Sequence, residues 1–303
     1  MENPLIIFSE DDLRGIPEKA IKSLLTFILT SPKLNKQIVG CILPEIVLDD
    51  KLFTQQIMEF LNSNKIKIGI SMQTKYIRKD EGNPFTQDFC WNLLPIIKNY
   101  IQQYPLIETI HVTFPFGKRR IQKSPKYDEY ILHSQFNWTN IALIQKELKQ
   151  KILVEPLLYF YENSSEDSYI HMRQILWDGI ETLRRLGGKI GEIDLLINPF
   201  YPNIRRMKEI DVANISNTTL RCLMEVLSKE KPTIYLRSCE QMGIYSYGRY
   251  LKVVKDYNKN LDIRWMIGRE LIKDFMDIWQ GKQNNVEEAQ KKLNGGMDEL
   301  TGA

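Results

Sequence analysis

The chain has 303 residues, 43% of them hydrophobic and 26% charged, enough apolar material for a large buried core. Forty-one basic residues stand against 38 acidic ones, a formal net charge of +3. That balance excludes a nucleic-acid polyelectrolyte or an acidic-tail protein, and the expectation is no nucleic-acid partner.

Short apolar runs rich in Ile and Val recur along the chain, each followed by a helical pattern. Strands are predicted at Leu5–Ser9, Ile38–Leu43, Lys67–Ser71, Thr109–Phe114, Lys151–Pro156, Ile193–Asn198, Thr233–Ser238 and Asp262–Ile267. Most are apolar throughout, as in Ile38-Val39-Gly40-Cys41-Ile42-Leu43, the pattern of a parallel strand buried on both faces. Helices are predicted at about 17–30, 52–63, 89–103, 137–149, 211–229, 242–258 and 269–280, with one more before the sixth strand. In that one Met172, Ile175, Leu176, Gly179, Ile180, Leu183 and Leu186 share a face, and Asp178, Glu181, Arg184 and Arg185 occupy much of the other. Gly187-Gly188 ends it. Strand starts lie about 29 to 42 residues apart, which suits repeated β/α crossovers.

Eight such units predict one α/β domain over residues 1–303, a (β/α)8 TIM barrel. An open doubly wound sheet is the alternative, but no glycine-rich phosphate fingerprint follows the first strand. A C-terminal helix and tail are expected over about 284–303, with the last dozen residues frayed around Asn294-Gly295-Gly296.

Cys41, Cys90, Cys222 and Cys239 are scattered and form no CxxC pair, the mark of reduced thiols in a reducing compartment. No Cys/His pair has ligand spacing, so neither a metal nor a cofactor is expected. Glu2, Glu10, Asp11 and Asp12 argue against a secretory signal and an uncleaved mitochondrial presequence. No apolar run approaches the roughly 20 residues of a membrane helix, so no membrane span is expected. A cytoplasmic location is the default, with a mature mitochondrial one left open.

Barrel enzymes place their chemistry at the carboxyl ends of the strands. Those positions hold Ser9, Glu10, Glu45, Ser71, Gln73, Pro115, Glu155, Asn198, Arg237, Ser238 and Arg269. Glu155 directly follows Ile152-Leu153-Val154 and is the candidate acid/base, since burial of a carboxyl raises its pKa. The other reading is a salt bridge tying the rim to a basic neighbour such as Arg269. Arg269, opening a helix beside Gly268, is placed to hold an anion or to lie exposed. His111 reads as a satisfied core histidine, Lys118-Arg119-Arg120 as a solvated loop, and Ser246-Tyr247-Gly248-Arg249 as helix surface.

Two segments carry a family resemblance. Gly268-Arg269-Glu270-Leu271 leads to Trp279-Gln280-Gly281-Lys282 and then to Asn285-Val286-Glu287-Glu288-Ala289-Gln290. Leu153-Val154-Glu155-Pro156 is the second, with weaker matches at Ile38–Leu43 and Leu195-Leu196. These resemble the Gly-Arg-Ala-Leu helix, Trp-x-Gly-Lys turn, Ala-Gln helix and Ile-Val-Glu-Pro strand of class I fructose-bisphosphate aldolases. Such enzymes cleave their substrate through a lysine that forms a Schiff base, in a Leu-Leu-Lys-Pro strand. Here the strand reads Leu195-Leu196-Ile197-Asn198-Pro199, so Ile197, or Asn198 after a one-residue shift, stands where the amine belongs. Ser71 replaces the lysine of Gly-Ile-Lys, Thr109-Ile110-His111 replaces Lys-Trp-Arg, and Leu157 replaces a second carboxylate. Glu10 takes the place of a strand-one Asp, and Ala303 ends the chain without the terminal tyrosine of many animal enzymes.

What the resemblance leaves is Glu155, with Ser238 and Arg269 where the family holds a substrate phosphate and Arg237 as an added charge. It implies a non-catalytic aldolase homologue, working in a homo-oligomer or as a subunit of a larger protein complex. The alternatives are an active divergent aldolase or another phosphosugar lyase using Glu155, and a regulatory module that binds a sugar phosphate.

Overall fold

The computed structural model describes residues 4–9, 13, 16, 18–73, 93–116, 127–158, 165–200, 211–238, 243–258 and 260–301. Eight strands pair in chain order, all parallel: β1 Leu5–Ile7, β2 Gly40–Pro44, β3 Lys67–Gln73, β4 Ile107–Phe116, β5 Lys151–Leu158, β6 Asp194–Ile197, β7 Thr233–Arg237 and β8 Asp262–Ile267. Leu5 sits opposite Gly40 on one side and Met266 on the other, so β1 closes the sheet onto β8. The molecule is a (β/α)8 barrel, and the open-sheet alternative is set aside.

Among the described residues the helices are α1 Glu18–Leu29, α2 Pro32–Gln37, α3 Lys51–Ser63, α4 Leu93–Gln103, α5 Tyr127–Glu147, α6 Ser165–Arg185, α7 Val212–Leu227, α8 Gly243–Tyr257, α9 Arg269–Trp279 and α10 Val286–Thr301. Strand β8 falls where the pattern placed it, and most other boundaries move by a few residues. Three differences are larger. Helix α5 starts ten residues before the expected 137, and α2 was not expected at all. The tail does not fray at Asn294-Gly295-Gly296: α10 runs through it to Thr301. Ala289, Leu293, Met297 and Leu300 recur at helical spacing and are buried, and Gln290 donates to the Phe27 carbonyl. Packing of that face outweighs the poor helix propensity of two glycines.

Successive side chains on a strand face opposite ways, which splits the core in two. Leu5, Ile7, Ile42, Leu153, Leu196, Tyr235 and Met266 form the smaller cluster, inside the barrel. The larger cluster lies between strands and helices and takes the opposite parity, including Ile6, Cys41, Val154, Leu195 and Ile197. The lumen is tight. A Cβ on Gly69 would lie 2.3 Å from Ile42 Cδ1. Outside, Trp138 of α5 lies against Gly179 of α6, where a Cβ would come within 2.5 Å of the indole. The indole N–H donates to the Ile175 carbonyl at 2.8 Å.

Cys41 and Cys222 are buried and reduced, and burial pushes both thiols well up, away from the reactive thiolate. Cys90 and Cys239 lie outside the described residues. Among those described, no helix is long and apolar enough to cross a membrane.

Candidate functional site

Above the apolar lumen layer, at the carboxyl ends of the strands, the inward parity turns polar. Glu155 of β5 is fully buried, and both its oxygens are engaged. Oε1 accepts from Asn198 Nδ2 at 3.1 Å and from Arg237 Nη1 in a short ion pair. Oε2 accepts from His111 Nε2 at 3.1 Å. Arg237, buried at 7% exposure, also donates through Nη2 to Ser9 Oγ at 3.0 Å. On the other side His111 Nδ1 lies 2.9 Å from Ser71 Oγ, and Thr113 Oγ1 lies 3.5 Å from Nε2. One hydrogen-bonded chain therefore crosses the barrel: Ser9, Arg237, Glu155, His111, Ser71.

Strand register places these groups. Ser71 is the partner of His111 between β3 and β4, and Thr113 is the partner of Glu155 between β4 and β5. Parallel barrels bring alternate strands into one layer, so β5 and β7 meet across the lumen although β6 separates them in the sheet. The sequence reading offered Arg269 as the basic neighbour of Glu155, but the ion pair is made by Arg237, two strands away.

Burial by itself would raise the Glu155 pKa. The Arg237 charge and the hydrogen bonds from His111 and Arg237 outweigh it, and hold the carboxyl at about 2. A carboxylate held so far below neutrality is a poor general acid, and with both oxygens occupied it orients its neighbours.

The remaining candidates fall elsewhere. Ser238, following β7, accepts the Gly268 N–H at 3.1 Å through Oγ and so ties β7 to β8. Arg269 opens α9 half-buried, next to that contact. Arg237, offered as a phosphate ligand, directs its guanidinium at Glu155 and Ser9. In β6, Ile197 belongs to the outer cluster, and Asn198 is the residue that reaches the lumen network. Tyr247 is not helix surface: it is fully buried, and its hydroxyl donates to the Leu236 carbonyl of β7 at 2.6 Å. Glu10 and Lys118-Arg119-Arg120 lie outside the described residues. Among those described, no three His, Cys, Asp or Glu side chains converge as metal ligands.

No protein-family model matches the chain, and no curated protein matches it. Solved structures do. Fructose-bisphosphate aldolase from Plasmodium falciparum, determined with TRAP and a small-molecule inhibitor, matches with a TM-score of 0.75 and 17% identity. The match covers 99% of this chain and 89% of that one. The fold is aldolase-like. D-Psicose 3-epimerase from Clostridium cellulolyticum H10, determined with D-tagatose, matches at a TM-score of 0.53 and 10% identity, over 99% of this chain and 98% of that one. Both are barrels over nearly their whole length, and this aldolase-like barrel shares their fold.

Proposed function

We propose that this chain is a divergent homologue of class I fructose-bisphosphate aldolases, without the Schiff-base lysine, serving as a structural or interaction subunit in the cytoplasm. The observation that carries the reading is the end of β6. The residue reaching the lumen there is Asn198, spent on Glu155, and its neighbour Ile197 is buried among the outer apolar side chains. An amide nitrogen shares its lone pair with the carbonyl and forms no imine, so the covalent route of such enzymes finds no nucleophile at the end of β6.

The purified protein is expected to cleave no fructose 1,6-bisphosphate above background and to trap no dihydroxyacetone phosphate on borohydride reduction. It is expected to run as a homo-oligomer, or to bring a partner subunit from native extract. Ile197→Lys and Asn198→Lys should each fail to restore cleavage, because the lysine would lack the neighbours that tune its pKa. A borohydride-trapped adduct on the wild-type protein would refute the reading.

A second reading, sugar-phosphate binding without turnover, is supported by the juxtaposition of Arg269, the start of α9 and the Ser238–Gly268 contact. A guanidinium fork and a helix N-terminus both suit a phosphate ester. Arg237 is committed elsewhere, so affinity is expected near the millimolar range, about −4 kcal/mol. Titration by NMR of wild type and Arg269→Ala tests it. Binding lost in the variant supports the site, and no binding to wild type at several millimolar removes it.

A further inference from the structure

On the reading that the lyase route is gone, the mouth still holds groups arranged for other chemistry. Ser71, His111 and Glu155 stand as a hydroxyl, an imidazole and an acid joined end to end, at 2.9 and 3.1 Å. We propose that Ser71 is an activated nucleophile that takes an acyl group from a small carboxylic ester or thioester, with His111 as general base and Glu155 as the positioning residue. This chemistry is separate from carbon–carbon cleavage and goes beyond the interaction role.

The proton positions follow from the acceptors. An ionised Glu155 only accepts, so in the neutral imidazole the hydrogen of the His111–Glu155 bond sits on Nε2. Nδ1 is then the bare nitrogen, and the Ser71 hydroxyl donates to it. That is the arrangement of a nucleophile, its base and an orienting third group. It rests on the strands rather than on loops. Ser71 and His111 are register partners, and Glu155 is clamped from its far side by Arg237, itself held by Ser9. Groups fixed by packed strands keep the geometry that such chemistry needs. With Ser71 only 2% exposed, the acyl group proposed is a short one.

In the acylation step Ser71 Oγ adds to the carbonyl carbon while its proton passes to His111 Nδ1. The bond from that carbon to the alkoxide or thiolate leaving group breaks, and the leaving group takes the proton from Nδ1. Water then attacks the acyl-serine, gives a proton to Nδ1, and Ser71 Oγ recovers it as the acid departs. Glu155 balances the imidazolium charge in both halves. Among the described residues, the charged groups reaching the ring's network are Glu155 from β5 and, beyond it, Arg237 from β7.

The test uses p-nitrophenyl acetate and intact-mass analysis of the whole protein, followed by peptide mapping. The expected result is one acetyl group on Ser71, absent from Ser71→Ala, with a labelling rate that rises with pH, since only a neutral imidazole can take the hydroxyl proton. His111→Gln should slow labelling about 100-fold or more, the usual contribution of a general base. If His111→Gln fails to fold, the wild-type pH profile and the small Ser71→Ala change still decide. Acetylation confined to other residues, or labelling of Ser71 at a rate flat in pH, overturns the proposal. A fructose bisphosphate assay reports on the lyase question alone, so the two failures are distinguishable.

Discussion

Glu155→Gln is expected to lower unfolding stability by about 3–5 kcal/mol, the cost of breaking a buried ion pair from one side. Glutamine nearly matches glutamate in shape, so the loss is electrostatic: Arg237, 7% exposed, would keep a buried charge with no counter-ion on β5. The amide also presents two N–H donors where the carboxylate only accepted, against His111 Nε2, Asn198 Nδ2 and Arg237. Urea unfolding at neutral pH, followed by tryptophan fluorescence, measures it; a difference under about 1 kcal/mol would mean the ion pair is not a pillar of the barrel.

The same carboxylate sets an acid limit. Its pKa is lowered from 4.5 to about 2 on folding, so the stability it contributes is complete above about pH 4.5 and is lost as pH falls toward 2. A shift of that size corresponds to roughly 3 kcal/mol. The gap between wild type and Glu155→Gln should therefore narrow steadily on acidification over that window, and a gap that stays constant would place its cause elsewhere.

Trp138→Ala should be comparably severe, about 3–5 kcal/mol. Trp138 heads the largest fully buried side chains, and it gives up both the indole volume and the bond to the Ile175 carbonyl. The reciprocal change, Gly179→Ala, pushes a methyl to within 2.5 Å of the ring and is expected to cost about 1–3 kcal/mol. Because both changes act on one contact, their costs should not add when Trp138→Ala and Gly179→Ala are combined. Thermal unfolding of the single and paired variants checks this, and strict additivity would show that the two helices do not meet through this pair.

The barrel was legible because eight apolar β-branched runs at regular spacing leave few architectures open, and Asp262–Ile267 was located to the residue. The network at its mouth was not. In a strand apolar throughout, parity is hidden, and a polar residue at its end does not reveal which way it faces. The sequence marks Glu155 as a candidate but points to Arg269 for its partner, because linear order does not carry the distance from β5 to β7 across a lumen. In the sequence His111 and Ser71 are separate departures from the aldolase pattern, in different strands, and only the β3–β4 register joins them. Tyr247 and α10 failed for a different reason. A tyrosine among Ser, Gly and Arg, and two adjacent glycines, look local and polar until the surfaces they pack against are known.

The cross-lumen chain has a consequence for how the molecule assembles in time. Ser9 and Arg237 are 228 residues apart in sequence, and Glu155 and Arg237 are 82 apart. The Glu155 bond needs β5, β6 and β7 in place, and the Ser9 bond needs the β1 end brought round to β7 as well. Contacts of such long loop closure are made late on the folding route, after most of their entropic cost has been met. Weakening them should leave the rate of folding nearly unchanged and appear almost wholly in the rate of opening. On that account the network acts as a latch on a barrel already largely assembled, and its weakening is expected to shorten the life of the closed state rather than slow its formation.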